Sequence, residues 1–257
     1  MTAAIDHSGR LAFYRSTIDR WIPAKTDSIL VVGGGANDEQ VFRALRYQSI
    51  TYTNTASASA RVCLVSSALA NADAESLPYA DNAFDYAVVH AVLHHCASPH
   101  RALLELYRVA RKAAIFFEAR DSFTMRLVEL IGLANPYEVS AVAANGGMAG
   151  GVRDTAVPNY VYRWTEREVE KTIASYAPFA KHSFQYAYGY GTPCESSGGR
   201  GIRRLVRQGL LAGYRTFVAL VPSQRNLFAC RIEKPQLPRD LQPWLIMHEE
   251  KLTFRQP

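Results

Sequence analysis

Three histidines, His90, His94 and His95, fall within six residues of one another. Histidine titrates nearest to neutrality, so such a group can act as general base toward a hydroxyl or an acidic carbon. It can equally contact a ligand or serve as a set of structural hydrogen-bonding rings. His90 and His94 have the spacing of one helical face. A metal trio would need a carboxylate beside them in the sequence; none is there, and no metal is assigned.

A second candidate lies upstream. Gly33-Gly34-Gly35 follows the apolar run Ser28–Val32 and leads into a helical pattern that opens with Asp38 and Glu39. A strand feeding a glycine turn and then a helix suits an anion or a nucleotide, because glycine lets the backbone approach and the helix start offers free N–H groups. The same arrangement also occurs as a bare connection. The dinucleotide pattern G-x-G-x-x-G fails at Asp38, and no G-x-x-x-x-G-K-S/T phosphate loop exists. Asn54 ends the next strand pattern, where a polar side chain would meet ribose hydroxyls or simply make a turn. Glu118, Arg120 and Asp121 follow the fifth strand pattern, at the edge where open sheets bind ligands; Glu118 could instead cap the next helix. Tyr137, Tyr160, Tyr162, Trp164, Tyr186, Tyr188 and Tyr190 could line an acceptor pocket or pack a long insert.

These residues require an alternating scaffold. Strands are expected at Ser28–Val32, 49–53, 69–72, 84–89 and 113–117, with helices between them and a weak helix within 56–72. That alternation points to a parallel sheet. An N-terminal helix spans 11–21. Ser98-Pro99 and Thr165 with Glu168 open further helices through capping patterns. Residues 121–133 look helical, with Phe123, Leu127, Leu130 and Ile131 on one side. Residues 134–162 show paired glycines and no period, which suits a functional or mobile loop. A strand over 179–190, a basic helix over 201–214 and a strand over 227–232 complete the pattern. The tail from Pro235 is expected to wrap the surface.

Composition sets limits. The 257 residues, 48% hydrophobic and 20% charged, suit one globular domain with decorations. No run of eighteen apolar residues and no apolar core in Met1–Arg10 is present, so a cytoplasmic chain is expected. Cys63, Cys96, Cys194 and Cys230 are scattered and are expected as free thiols. The net charge of +6 does not call for nucleic acid. The charge is concentrated, however: segment 196–215 holds Arg200, Arg203, Arg204, Arg207 and Arg215 and no acid, beside Ile202, Leu205, Val206 and Leu210. Such an amphipathic basic helix fits an anionic membrane surface, a phosphorylated acceptor, or a solvated face packed on the core.

One stretch is more specific. Asp73-Ala74-Glu75-Ser76-Leu77-Pro78-Tyr79, then Asp81-Asn82-Ala83-Phe84-Asp85, links the third and fourth strand patterns. Together with Val88-Val89-His90-Ala91-Val92-Leu93-His94-His95 and Pro99 to Val109, it resembles class I S-adenosylmethionine-dependent methyltransferases. The likeness is nearest to the small-molecule group typified by quinone C-methyltransferases, and it covers about residues 28–118. The resemblance implies a Rossmann-like α/β fold: a mostly parallel seven-stranded sheet, helices on both faces, and an antiparallel last strand. It implies S-adenosyl-L-methionine as cofactor, held by Gly33, Gly34, Gly35, Asn54 at the ribose, Asp73 and Ala74 at the adenine, and His90 under the methionine part. Three positions depart from the family pattern: Val31 and Asn54 replace acids, and Asn37 replaces the third loop glycine.

The expected chain is thus a single methyltransferase domain over 1–257. It comprises an N-terminal helix (1–27), a cofactor-binding core (28–118), a lid insert (134–162), a basic helical insert (191–224) and a tail (235–257). His90, His94 and His95 are the catalytic candidates; Glu118, Arg120, Tyr160 and Tyr162 are the acceptor-binding ones. The acceptor is expected to be small or lipid-linked, an anionic one included, with peripheral contact to an anionic membrane and no nucleic acid. The alternatives are a catalytically silent cofactor-binding scaffold of a biosynthetic complex, or an RNA methyltransferase.

Overall fold

In the computed structural model, residues 7–55, 69–191, 202–249 and 251–255 are described. Helix α1 (His7–Trp21) leads to β1 (Ser28–Val32), α2 (Ala36–Ala44), β2 (Ser49–Asn54) and β3 (Leu69–Asn71). Then follow β4 (Phe84–His90), α3 (Pro99–Val109), β5 (Ala110–Ala119), α4 (Phe123–Leu130), α5 (Val139–Ala144) and α6 (Glu166–Tyr176). The chain closes with β6 (Phe184–Gly189), α7 (Ile202–Leu220), β7 (Leu227–Glu233), β8 (Leu245–His248) and β9 (Lys251–Phe254).

Seven strands form one sheet in the order β3-β2-β1-β4-β5-β7-β6, and β8 and β9 pair separately. All neighbours from β3 to β5 are parallel, while β7 runs antiparallel to both β5 and β6. The expected fold is therefore the observed one. Buried strands explain why the sequence read so plainly: β1 is buried from Ile29 to Val32, and β4 from Asp85 to Val89, so both faces demand apolar residues. One core layer packs Leu30, Ala87, Val89, Leu103, Leu106, Phe116 and Trp164; the opposite layer packs Tyr14, Ile18, Ile29, Val31, Phe42, Val88 and Ile115.

Both expected N-caps form, but the reciprocal half of the Thr165 capping box does not, since the Glu168 carboxylate meets Tyr162 and His100 instead. Ser98 Oγ accepts from the Arg101 N–H at 3.4 Å, and Thr165 Oγ1 from the Glu168 N–H at 3.2 Å. Other expectations change. Residues 134–162 are not a bare loop but contain α5 and a short turn of 3-10 helix at Val152–Asp154. The tail is not a plain wrap; it carries the β8–β9 hairpin. The expected strand over 179–190 shortens to β6, and the basic helix lengthens to Leu220. The weak helix expected within 56–72 falls largely outside the described residues, as do Cys63 and Cys194; Cys96 and Cys230 are free thiols. Among the described residues no helix is long and apolar enough to cross a membrane.

Candidate functional site

A pocket of about 240 Å³ opens at the carboxyl ends of β1, β2 and β4, lined by Gly33, Asn54, Asp73, Ala74, Glu75, His95 and Cys96 among others. Residues from 134–162 form its far wall: Gly150, Gly151, Arg153 and Asp154.

The glycines divide their work. Gly33 sits at φ +67°, and a Cβ there would lie 2.5 Å from the Val92 side chain, so only glycine serves. Gly34 donates its N–H to the Thr53 carbonyl at 2.9 Å, and a Cβ would press on the Tyr52 ring. Gly35 caps α2 and gives its N–H to Asp38 Oδ2 at 2.9 Å. Gly33 alone of the three lines the pocket; Gly34 and Gly35 shape the turn behind it.

The side chain of Asn54 is turned back on the chain. Its Nδ2 donates to the Gly34 carbonyl at 3.3 Å, and its Oδ1 accepts from the Thr55 N–H at 2.9 Å. Asp73 is exposed at the pocket, with Oδ1 accepting from the Glu75 N–H at 2.9 Å. Glu75 is a site residue that sequence reasoning passed over. It is buried, accepts from the Ala97 N–H at 2.8 Å, and pairs with Arg153 at 3.1 Å across 78 residues of chain. Burial would raise its pKa, but Arg153 and the Ala97 N–H hold the carboxyl below the usual range. It thereby ties the far wall to the loop that carries Asp73.

The three histidines part company. His90 stacks on Tyr14 of α1 at 4.2 Å, with Asp38 Oδ1 3.8 Å from its Nδ1. It does not line the pocket. Nor does it share a face with His94, because it ends a strand and His94 lies in the following 3-10 turn, Leu93–His95.

His94 is buried, and its Nδ1 lies 2.6 Å from Glu118 Oε2. Burial disfavours the charged ring, but Glu118 and Glu138 outweigh it and push His94 up to about 9. Glu118 is 1% exposed and uses its other oxygen to accept from the Val92 and Leu93 N–H groups at 3.0 and 2.8 Å. Burial alone would raise its pKa; His94 and the Leu93 N–H hold it low. His95 faces the pocket and meets the Gly151 backbone; burial, then the His94 charge, lowers its pKa. Glu138, from the segment after α4, lies 3.5 Å from Nε2 of both rings and is held at about 2 by His94 and His95 against the effect of burial. The carboxylates missing beside the histidines in the sequence are thus supplied by β5 and by the 134–162 segment.

The acceptor-side candidates are scattered. Glu118 stands behind His94, away from the pocket. Arg120 is bound to Glu166 at 2.7 Å and to the Ser223 carbonyl, and lies over Tyr188. Tyr162 donates to Glu168 and packs on Trp164. Tyr160 is half exposed and packs edge-on against Tyr137 at 5.5 Å. None of these four lines the pocket. Trp164 is fully buried, and Tyr186 and Tyr188 bond to Glu170 and Glu166, so most of the aromatic set is packing.

Residues 31–117 match the family model of the methyltransferase domain. The match spans about a third of the chain and marks a methyltransferase domain there. Its cofactor is S-adenosylmethionine. No curated protein matches this chain. Among solved structures, it is similar to a SAM-dependent methyltransferase from Archaeoglobus fulgidus, at 13% identity and TM-score 0.50, over 89% of this chain and 97% of that one. A chain of the complex containing the Haloferax volcanii Trm112 methyltransferase activator aligns at 14% identity and TM-score 0.51, over 89% and 91%. The cyclase SpnF aligns at 16% and 0.50, over 91% and 84%. Identities this low speak for the fold alone, and the cyclase shows that this methyltransferase-like fold hosts other chemistry. The methyl acceptor must therefore be argued from this chain's own surfaces.

Proposed function

We propose that this methyltransferase transfers the methyl group of S-adenosylmethionine to a lipid-linked acceptor taken from an anionic membrane surface. The carrying observation is an apolar groove of about 700 Å³ between α4 and α7, lined by Phe123, Leu127, Ile131, Leu210, Tyr214 and Phe217. Phe123 is 74% exposed, Leu130 83% and Leu220 79%. Soluble proteins seldom leave so many large apolar side chains together in water. Helix α4 starts where β5 ends, and the chain after α7 enters antiparallel β7, so both helices stand at the edge of the sheet that holds the cofactor pocket. Helix α7 also carries Arg203, Arg204, Arg207 and Arg215 and no acid. An apolar groove on a helix whose sequence holds arginines and no acid is the combination that binds anionic bilayers. The D-A-E-S-L-P-Y motif, akin to that of quinone C-methyltransferases, is compatible with this reading.

In this reading Gly33, Asp73 and Ala74 hold the cofactor, and residues 134–162 act as a lid that closes over it. Methyl transfer is an in-line displacement, so alignment and exclusion of water are the main demands on the protein. Co-sedimentation with vesicles tests the proposal. Binding is expected to phosphatidylglycerol vesicles and not to phosphatidylcholine vesicles. Phe123→Asp combined with Leu130→Asp should abolish it while leaving S-adenosylmethionine binding intact. Equal binding to both vesicle types, or none to either, would refute it.

A further inference from the structure

We infer that His94, His95 and Glu138 form a binding site for one first-row divalent transition-metal ion at the border of the cofactor pocket. The inference concerns the same site as the proposed function but does not depend on the acceptor being lipid-linked. Three observations carry it. First, the donor atoms converge: a ring nitrogen of His94, a ring nitrogen of His95 and one carboxylate oxygen of Glu138 all lie within 4.8 Å of one another. Second, the spacing suits an ion better than a hydrogen bond. Both rings stand 3.5 Å from the same Glu138 Oε2, long for a hydrogen bond between charged partners. A tetrahedral ion with bonds of about 2.0–2.1 Å sets its ligands about 3.3 Å apart. Third, the supporting contact of a metal-bound histidine is already built. Glu118 lies 2.6 Å from His94 Nδ1 and keeps a proton there, so an ion that displaces the Nε2 proton meets a ring already oriented toward Glu138. Glu118 is fixed in turn by two backbone N–H groups.

Two imidazoles and one carboxylate are the donor set preferred by zinc, iron and their neighbours rather than by magnesium or calcium. Three protein ligands leave a fourth position open. Because His95 lines the pocket, the ion borders the space where an acceptor meets the cofactor, and an acceptor oxygen is the class of ligand that would fill that position. Two ligands come from the turn after β4 and the third from the segment after α4, so the ion would also pin that segment to the core.

The test uses full-length protein stripped with a chelator and dialysed. Titration with Co²⁺ should give visible d–d bands that saturate at one ion per chain, and Zn²⁺ should quench them by displacement. Glu138→Gln and His95→Ala, both at partly exposed positions, should each weaken Co²⁺ binding at least tenfold. Glu118→Gln, which keeps a hydrogen-bond partner for His94, should weaken it 10- to 100-fold. Asp73→Asn, at the other end of the pocket, should leave it unchanged. Absence of d–d bands in the parent protein would overturn the inference, as would bands that persist at the same affinity in Glu138→Gln and His95→Ala.

Discussion

The two ends of the sheet's carboxyl edge differ in how they treat their own side chains. Over β1, β2 and β4 the polar groups satisfy one another: Asp38 holds Gly35, Asn54 holds Gly34, and Glu75 holds both Ala97 and Arg153. Beyond β5 and β7 the reverse holds, and α4 and α7 leave Phe123, Leu130, Leu205 and Leu220 in water. Among the described residues, Met125, Val128, Ala134, Tyr214 and Val218 make a small core between them, with Leu133 and Tyr190 packed against it. A closed polar half suits a fixed cofactor; an open apolar half suits something that arrives from outside. That contrast is what makes a membrane-derived acceptor the better reading than a freely soluble one.

The contrast can be attacked from its most rigid point outward. Glu118→Ala should be the most damaging change, because it strands a buried His94 and two backbone N–H groups. A loss of about 3–5 kcal/mol is expected on urea unfolding. A variant within 1 kcal/mol of the parent would mean that the polar half is not locked in this way. Next, replacing Arg203, Arg204 and Arg207 by Gln should lower affinity for anionic vesicles about a hundredfold at low salt, at about 1 kcal/mol per arginine, and the difference should shrink as salt rises. Unaltered affinity would make the open half merely apolar.

Asp73→Ala should raise the Kd for S-adenosylmethionine about tenfold or more, the cost of one hydrogen bond to a charged group at about 1.5–3 kcal/mol; an unchanged Kd would remove Asp73 from the site. Smaller still is the effect of acid on the far wall. The Glu75 carboxyl is held low when folded, so its contribution is present above the unfolded value near 4.3 and disappears as pH falls below it. Glu75→Gln should flatten that part of the stability curve between about pH 5 and 3. Last, Asn54→Asp loses the donor to Gly34 and should cost about 1 kcal/mol in stability. If it instead tightened cofactor binding with no such cost, Asn54 would be facing the ribose.

Much of the polar half was legible in the chain. Ser28–Val32 is buried on both faces and so is continuously apolar, and the Ser98 and Thr165 caps are local chemistry. Gly33 was readable because a left-handed turn against Val92 excludes every other residue. What was not legible is long-range. Glu138 is 44 residues from His94 in sequence, and nothing periodic around it marks a ligand-facing acid. Arg153 reaches Glu75 in the same way. The stripe Phe123, Leu127, Leu130 and Ile131 was found from its spacing, but spacing does not say what a stripe meets. Buried Met125 and Val128 form the core face instead. The three histidines looked alike because four-residue spacing implies a helix, whereas a strand end and a 3-10 turn send His90 and His94 to different neighbours.

Transfer of labelled methyl from S-adenosylmethionine in the presence of anionic membranes bears most directly on the division of the molecule into a cofactor half and a membrane half. Label should enter the organic-phase extract with the parent protein and fall sharply with the Arg203, Arg204 and Arg207 triple variant, whose Kd for S-adenosylmethionine should equal the parent's. Label confined to water-soluble products, at a rate indifferent to membranes and to the three arginines, would contradict the account.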